Sequence, residues 1–216
     1  HLGRGSGRAF EAFIREFEGV LKNEYAVTDP DVTLTCAAAE TAKAVSAERT
    51  VTLVQALTAM PQGVEAMDTD FPGLVQTSLN MGVVKLDGDG LHIAFSIRSS
   101  IASRKLMLAQ RVRAVAALAG GTVAERGVYP GWQYKRESQF RDTLLAAYKD
   151  LTGKDGVVEA THGGLECGLL MEKIPGLDAV SMGPELHDVH SVRERLSVPS
   201  TERTYELVCE LLRRSC

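Results

Sequence analysis

The stretch from Leu74 to Ile97 constrains the fold more than any other part of this chain. Leu74 to Leu86 is rich in β-formers, Asp87-Gly88-Asp89-Gly90 carries turn chemistry, and Leu91, Ile93, Phe95 and Ile97 then alternate with His92, Ala94, Ser96 and Arg98. Successive side chains of a strand point to opposite faces, so such alternation puts one face on a core and leaves the other open. The sequence therefore predicts a β-hairpin, with His92 and Arg98 together on the face away from the core.

The neighbouring segments supply the cover. A long helix is expected from about Ala102 to Ala119, closed by Gly120-Gly121, and a strand from Thr122 to Val128. Upstream, Phe10, Phe13, Ile14, Phe17, Val20 and Leu21 recur at helical spacing, which predicts an amphipathic helix over Ala9 to Asn23. Asp29-Pro30-Asp31 breaks the chain. Val32 to Ala38 reads as a short strand, and Thr50 to Ala59 as a second helix ending before Pro61 and Gly63. Hairpin, helix and strand in that order suggest an α+β sandwich, with helices on one face of an antiparallel sheet.

The texture changes at Tyr129-Pro130-Gly131-Trp132, where a domain boundary is expected. It divides the chain into residues 1–128 and 129–216. Beyond it come a helix (Ser138 to Leu151), a strand (Val157 to Ala160), a short helix (Leu165 to Glu172), a strand (Ala179 to Met182), a loop, and a helix (Thr201 to Arg214) with Ser200 as its N-cap. Alternating helix and strand points to α/β architecture, but two strands are too few for a doubly wound sheet. This part is expected to complete a sheet whose other strands lie elsewhere. The fold class over the whole chain is α/β in this mixed sense.

Composition narrows the partners. The net charge is -4 over 216 residues, without the basic stripe that a nucleic-acid backbone would call for. No apolar run approaches the roughly 18 residues of a membrane span, and no signal peptide is visible. Cys36, Cys167, Cys209 and Cys216 are scattered without a C-x-x-C pair, which reads as reduced thiols in a cytoplasmic protein. The first residue is His1 rather than Met, so the chain reads as processed, truncated or excised.

Three places have the residue types that chemistry needs. In Thr161-His162-Gly163-Gly164-Leu165-Glu166-Cys167-Gly168 a strand ends, two glycines follow and a helix begins. Glycines let the backbone approach a ligand, and helix N-terminal N–H groups attract an anion. The bland alternative is a tight strand–helix turn with nothing bound. In Gly183-Pro184-Glu185-Leu186-His187-Asp188-Val189-His190-Ser191 two histidines and an Asp follow the last expected strand, where open α/β sheets place their sites. Zinc needs three or four ligands, so His187 and His190 alone make no site and read equally as polar loop residues. Arg98 is either a solvated charge or a fork for a substrate carboxylate. Asn80 approaches it if the two strands pair, and Asn in a strand wants a reason. Cys167 with His162 as base is a further option, though sequence proximity does not establish the geometry. His92 reads as a structural or surface residue.

Taken in order, Thr77-Ser78-Leu79-Asn80-Met81-Gly82-Val83-Val84, Ile97-Arg98-Ser99-Ser100, Tyr129-Pro130-Gly131-Trp132-Gln133, the His162 to Gly168 turn, and Ser181-Met182-Gly183-Pro184 leading to His190-Ser191 resemble the Xaa-His dipeptidases. These are also called aminoacyl-histidine dipeptidases or bacterial-type carnosinases, within the dinuclear-zinc aminoacylase/carnosinase superfamily. The resemblance covers nearly everything from Thr77 onward and rests on joint order and spacing.

It implies a two-domain enzyme: an α/β catalytic domain holding two zinc ions, and an inserted lid with a ferredoxin-like sheet. Residues 1–128 would be lid and 129–216 the returning C-terminal segment of the catalytic domain. Position by position, His190 matches a zinc ligand. Arg98 and Asn80 match lid residues facing the substrate, and Gly164 matches the turn at the substrate's carboxylate end. His187 and Asp188 stand where the family varies. The other zinc ligands, the bridging Asp and the general-base Glu lie upstream in the family, so no catalytic residue is expected in this chain. His1-Leu2-Gly3-Arg4-Gly5 resembles the end of the motif G-G-H-S-G-x-x-I-H-x-G-x-G, without its key earlier histidine. The helix, strands and substrate-binding Asn that follow in the family are missing, so the lid is expected to be shortened. The implied activity is hydrolysis of Xaa-His dipeptides by metal-activated water, in a cytoplasmic homodimer, with this chain inactive by itself. The alternatives are a non-catalytic self-association module and an amidohydrolase relative of different specificity.

Overall fold

The structure, a computed structural model, describes residues 6–37, 44–88 and 90–215. The His1 to Gly5 comparison, Ala38, Asp89 and Cys216 lie outside the described residues. The chain forms two compact units, His1–Thr52 and Leu53–Cys216.

The first unit holds α1 (Gly7–Glu24), two residues longer at its start than the apolar spacing predicts. Phe13 and Phe17, one turn apart, stack at 5.8 Å, and Lys22 pairs with Glu18 at 2.6 Å across the same interval. No residue of α1 is buried. Residues 32–37 form no strand. A strand exists only through a hydrogen-bonded partner, and local β-propensity does not provide one.

Helix α2 spans Ala47–Ala59, starting three residues before the expected Thr50. The second unit then builds an antiparallel sheet in the order β1 (Gly63–Met67), β2 (Val75–Asp87), β3 (Gly90–Ser99). The hairpin forms as its alternation predicts: Leu91, Ile93, Phe95 and Ile97 are half-buried, and His92, Ala94, Ser96 and Arg98 are exposed. Helix α3 (Ala102–Leu118) covers the apolar face. Leu79, Leu108 and Val112 are the buried cluster there, with Met60, Phe95 and Ile97 against it. Thr77 and Ser99 share this face and satisfy each other through a 2.8 Å hydroxyl–hydroxyl hydrogen bond. A register shift between Met81 and Val83 leaves Gly82 unpaired, a bulge that keeps Val84 opposite Ile93.

The expected strand from Thr122 to Val128 does not form. Every residue of it is exposed, and Glu125 is tied to Arg113 through side chains at 2.6 Å instead of through a ladder. The segments 157–160 and 179–182 likewise have no strand partner among the described residues.

Helices α4 (Gln139–Thr152), α5 (Glu166–Lys173) and α6 (Val198–Arg214) fall close to the expected positions. Ser138 caps α4 by accepting the Arg141 N–H at 3.1 Å, and Gly153 closes it in the left-handed conformation. Helices α4 and α6 pack together through the buried Ala147 and Leu211, with Arg214 reaching Asp150 at 2.7 Å. The N-cap of α6 is Ser197 rather than Ser200, because Pro199 fits the first helical turn and extends the helix backwards. Ser200 instead accepts the Glu185 N–H at 2.9 Å. A short antiparallel ladder, β4 (Leu186–His187) with β5 (Arg195–Leu196), closes the loop before α6.

Candidate functional site

The site starts from three glycines that permit close backbone approach. A Cβ at Gly131 would lie 2.6 Å from the Ser99 carbonyl oxygen and 2.7 Å from that of Ser100. One at Gly164 would lie 2.6 Å from Cδ1 of Tyr129. One at Gly168 would stand 3.3 Å from the carbonyl oxygens of Pro130 and Gly131. The Tyr129–Trp132 segment therefore threads between the end of β3 and the start of α5, so closely that Gly131 has no room for a side chain. The Lys105 ammonium, at the start of α3, donates to the Tyr129 carbonyl and fastens the segment from its other side.

These approaches enclose a cleft of about 510 Å³. One wall is the end of β3 with Arg98. The other is the turn His162-Gly163-Gly164, with Tyr129 and Trp132 between them. Three of the residues singled out from the sequence, Arg98, His162 and Gly164, thus line one cleft. Asn80 pairs with Ser96 as Ser78 pairs with Arg98, so all four share the face of the sheet that α3 does not cover. Asn80 is exposed and outside the cleft's lining, directly opposite Ser96, which belongs to it.

His162 lines the cleft and bonds to β2. Its Nε2 lies 2.8 Å from Ser78 Oγ, so that nitrogen is engaged with β2 rather than with Cys167. Burial pushes the imidazole below its ordinary value, the Arg98 guanidinium pushes the same way, and the Val75 carbonyl opposes both. Burial holds the Tyr129 hydroxyl above its ordinary value, with Glu166 and Cys167 adding to the rise.

His190 lies elsewhere, exposed in the turn between β4 and β5. Its φ of +64° is in the left-handed region, as is that of Asp188 at +51°. Its backbone N–H donates to Glu194 at 2.8 Å, and Asp188 pairs with Arg195 at 3.2 Å. His187 sits on β4, exposed. Among the described residues no three His, Cys, Asp or Glu side chains stand together as a metal centre would need. His92 is a surface residue paired with Asp87 at 3.3 Å.

The sequence reading missed the Ser78–His162 pair and Lys105. Both come from tertiary placement: Ser78 and His162 are 84 residues apart in the chain. The one available hint was the position of Ser78 opposite Arg98, which follows from the hairpin register.

No protein-family model matches this sequence. It is similar to the cytosol non-specific dipeptidase of Escherichia coli (strain K12), 32% identical over 204 residues, covering 94% of this chain and 42% of that protein. Its fold matches the crystal structure of aminoacylhistidine dipeptidase from Vibrio alginolyticus at a TM-score of 0.87 and 28% identity, over 99% of this chain and 44% of that one. An aminopeptidase, PepT from Bacillus cereus, matches at a TM-score of 0.56 and 18% identity over 75% of this chain, a likeness of fold alone. The chain thus spans less than half the length of the proteins it matches.

Proposed function

On the premise that this chain belongs to the Xaa-His dipeptidase family and matches the C-terminal portion of its members, we propose that it is the substrate-holding part of a dipeptidase. The observation that carries this reading is the cleft joining Arg98 to the Gly163-Gly164 turn. A guanidinium fork facing a glycine turn at a helix start suits a free peptide carboxylate, with Arg98 binding two oxygens and backbone N–H groups approaching the same charge. Asn80, on the same sheet face, would contact the rest of the dipeptide. In this reading residues 1–128 are lid and residues 129–216 the C-terminal segment of the catalytic domain, in a cytoplasmic homodimer whose substrates end in histidine. No helix among the described residues is long and apolar enough to cross a membrane.

The residues present do not by themselves fit a dinuclear zinc centre, since no group of three metal-binding side chains stands together among those described. Zinc in this reading belongs to the complete enzyme, to which the chain brings His190. The left-handed backbone of that residue supports a special role, because such strain concentrates at functional sites. In this reading the chain alone is inactive. Hydrolysis of β-alanyl-histidine by the isolated chain with added zinc, at rates like those of a complete dipeptidase, would overturn this part.

The binding part is tested by titrating the chain with β-alanyl-histidine and following amide shifts. Binding is expected in the millimolar range. Arg98→Ala should weaken it about tenfold, since a hydrogen bond to a charged group contributes about 1.5 kcal/mol or more. Equal binding by wild type and variant sinks the reading. A self-association module is the second reading, favoured by β3 standing at the sheet edge and by the exposed Val83, Val84 and Leu86 on its partner strand. Light scattering distinguishes it, a monomer at all concentrations counting against it.

A further inference from the structure

The function proposed above makes no use of His162, although it lines the cleft and its ring ties the glycine turn to β2. Its ring meets β2 through Ser78 Oγ at 2.8 Å, and the Val75 carbonyl of the same strand is a hydrogen-bonding neighbour. Its backbone begins the Gly163-Gly164 turn, whose own internal bond is one 3.2 Å contact from the Gly163 N–H to Thr161 Oγ1. Two adjacent glycines hold no conformation of their own. What fixes the turn's distance from the sheet must come from outside it, and the Ser78–His162 bond starts at the residue directly opposite Arg98 in the β2–β3 register.

We propose that His162 is a positioning residue, which holds the Gly163-Gly164 turn at a set distance from Arg98 by bonding Ser78, and which does so as the uncharged imidazole. The charge requirement follows from its surroundings. Arg98 on β3 and Lys105 on α3 both line the cleft as cations, and Tyr129 and Glu166 are the other titratable groups beside His162 in its lining. A charged ring would add a cation to a partly enclosed cleft that Arg98 and Lys105 already line, where like charges repel more than in water. The lowering of the ring's proton affinity by burial and by Arg98 agrees with this placement. What the spacing serves, a carboxylate held between guanidinium and turn, rests on the function proposed above. The positioning itself does not.

The test uses the isotope-labelled chain. Protonation of His162 is followed at its Cε1 resonance, and the mobility of Gly163 and Gly164 by heteronuclear relaxation, in wild type, Ser78→Ala, His162→Ala and His162→Gln. In wild type at neutral pH the two glycines are expected to be as rigid as α5. They should become mobile as His162 protonates, and should be mobile at neutral pH in Ser78→Ala and His162→Ala. Gln, neutral with both a donor and an acceptor, should restore rigidity and remove the pH response. Glycines that stay rigid through the titration, or in Ser78→Ala, overturn the proposal, as does a Gln variant no better than Ala. Should His162→Ala fail to fold, Ser78→Ala and the wild-type titration decide the matter. Adding β-alanyl-histidine to the same samples separates the two ideas: a turn that behaves as expected in a chain that binds no dipeptide supports the positioning and counts against the substrate reading alone.

Discussion

At Gly131 one hydrogen atom in place of a methyl lets two parts of the chain meet. The methyl of an alanine would run into two backbone carbonyl oxygens at the end of β3, which the ladder and the start of α3 hold in place. At Gly164 it would meet the edge of the Tyr129 ring, which can turn aside. Gly131→Ala is therefore expected to cost about 3 kcal/mol, at the upper end for overpacking, and Gly164→Ala less. Thermal unfolding of the two variants ranks them. Asp178 is a second residue whose surroundings set its behaviour. The Phe140 N–H, 3.0 Å away, holds its carboxyl below the usual value, with the Ser138 hydroxyl and Lys135 adding to the effect and burial opposing it. A carboxylate depressed in the folded state contributes stability that is present above its unfolded value and lost as pH falls through its folded one. Denaturation of wild type and Asp178→Asn should differ at neutral pH, and the gap should close below about pH 4, the ordinary carboxylate range.

Among the elements, the β2–β3 hairpin and α3 carry the core of the second unit. Leu108 is fully buried between helix and sheet, so Leu108→Ala is expected to cost about 3 kcal/mol in chemical denaturation. This pair of elements was also the most legible, because alternation at Leu91 to Ile97 and the glycines at 120 and 121 are local features that the fold keeps. Strand β1 was not legible: in Gly63-Val64-Glu65-Ala66-Met67 the alternation lasts only from Val64 to Ala66, and its place is set by pairing with β2 across two irregularities. The converse error concerns Thr122 to Val128, Val157 to Ala160 and Ala179 to Met182. Their residue types suit strands, but a strand is a relation between segments, and these have no partner among the described residues. The same distinction divides the candidate site. The Arg98 face followed from period-two geometry, whereas the Ser78–His162 bond depends on how distant segments meet.

For the molecule as a whole, the C-terminal helix leaves apolar side chains uncovered. On α6, Tyr205, Val208 and Leu212 follow one another at spacings of three and four, which places them on one side of the helix, and all three are exposed. Helix α4 covers a different part of α6, through Leu211. Such a stripe fits a helix built to lie against more protein than these residues provide, consistent with a chain that spans 42% of its curated relative. The exposed run 122–128 leads directly into the clasped segment 129–132, and this contrast has a practical consequence for cleavage. A protease nick after the exposed Arg126 would break the covalent chain where no ladder holds it. The new end at Gly127 would still lead into Tyr129 and Gly131, anchored by the Lys105 ammonium and pressed against Ser99 and Ser100. The two pieces are expected to elute together in native gel filtration and to separate only in denaturant, which would make this junction a place to divide the gene without dividing the folded protein.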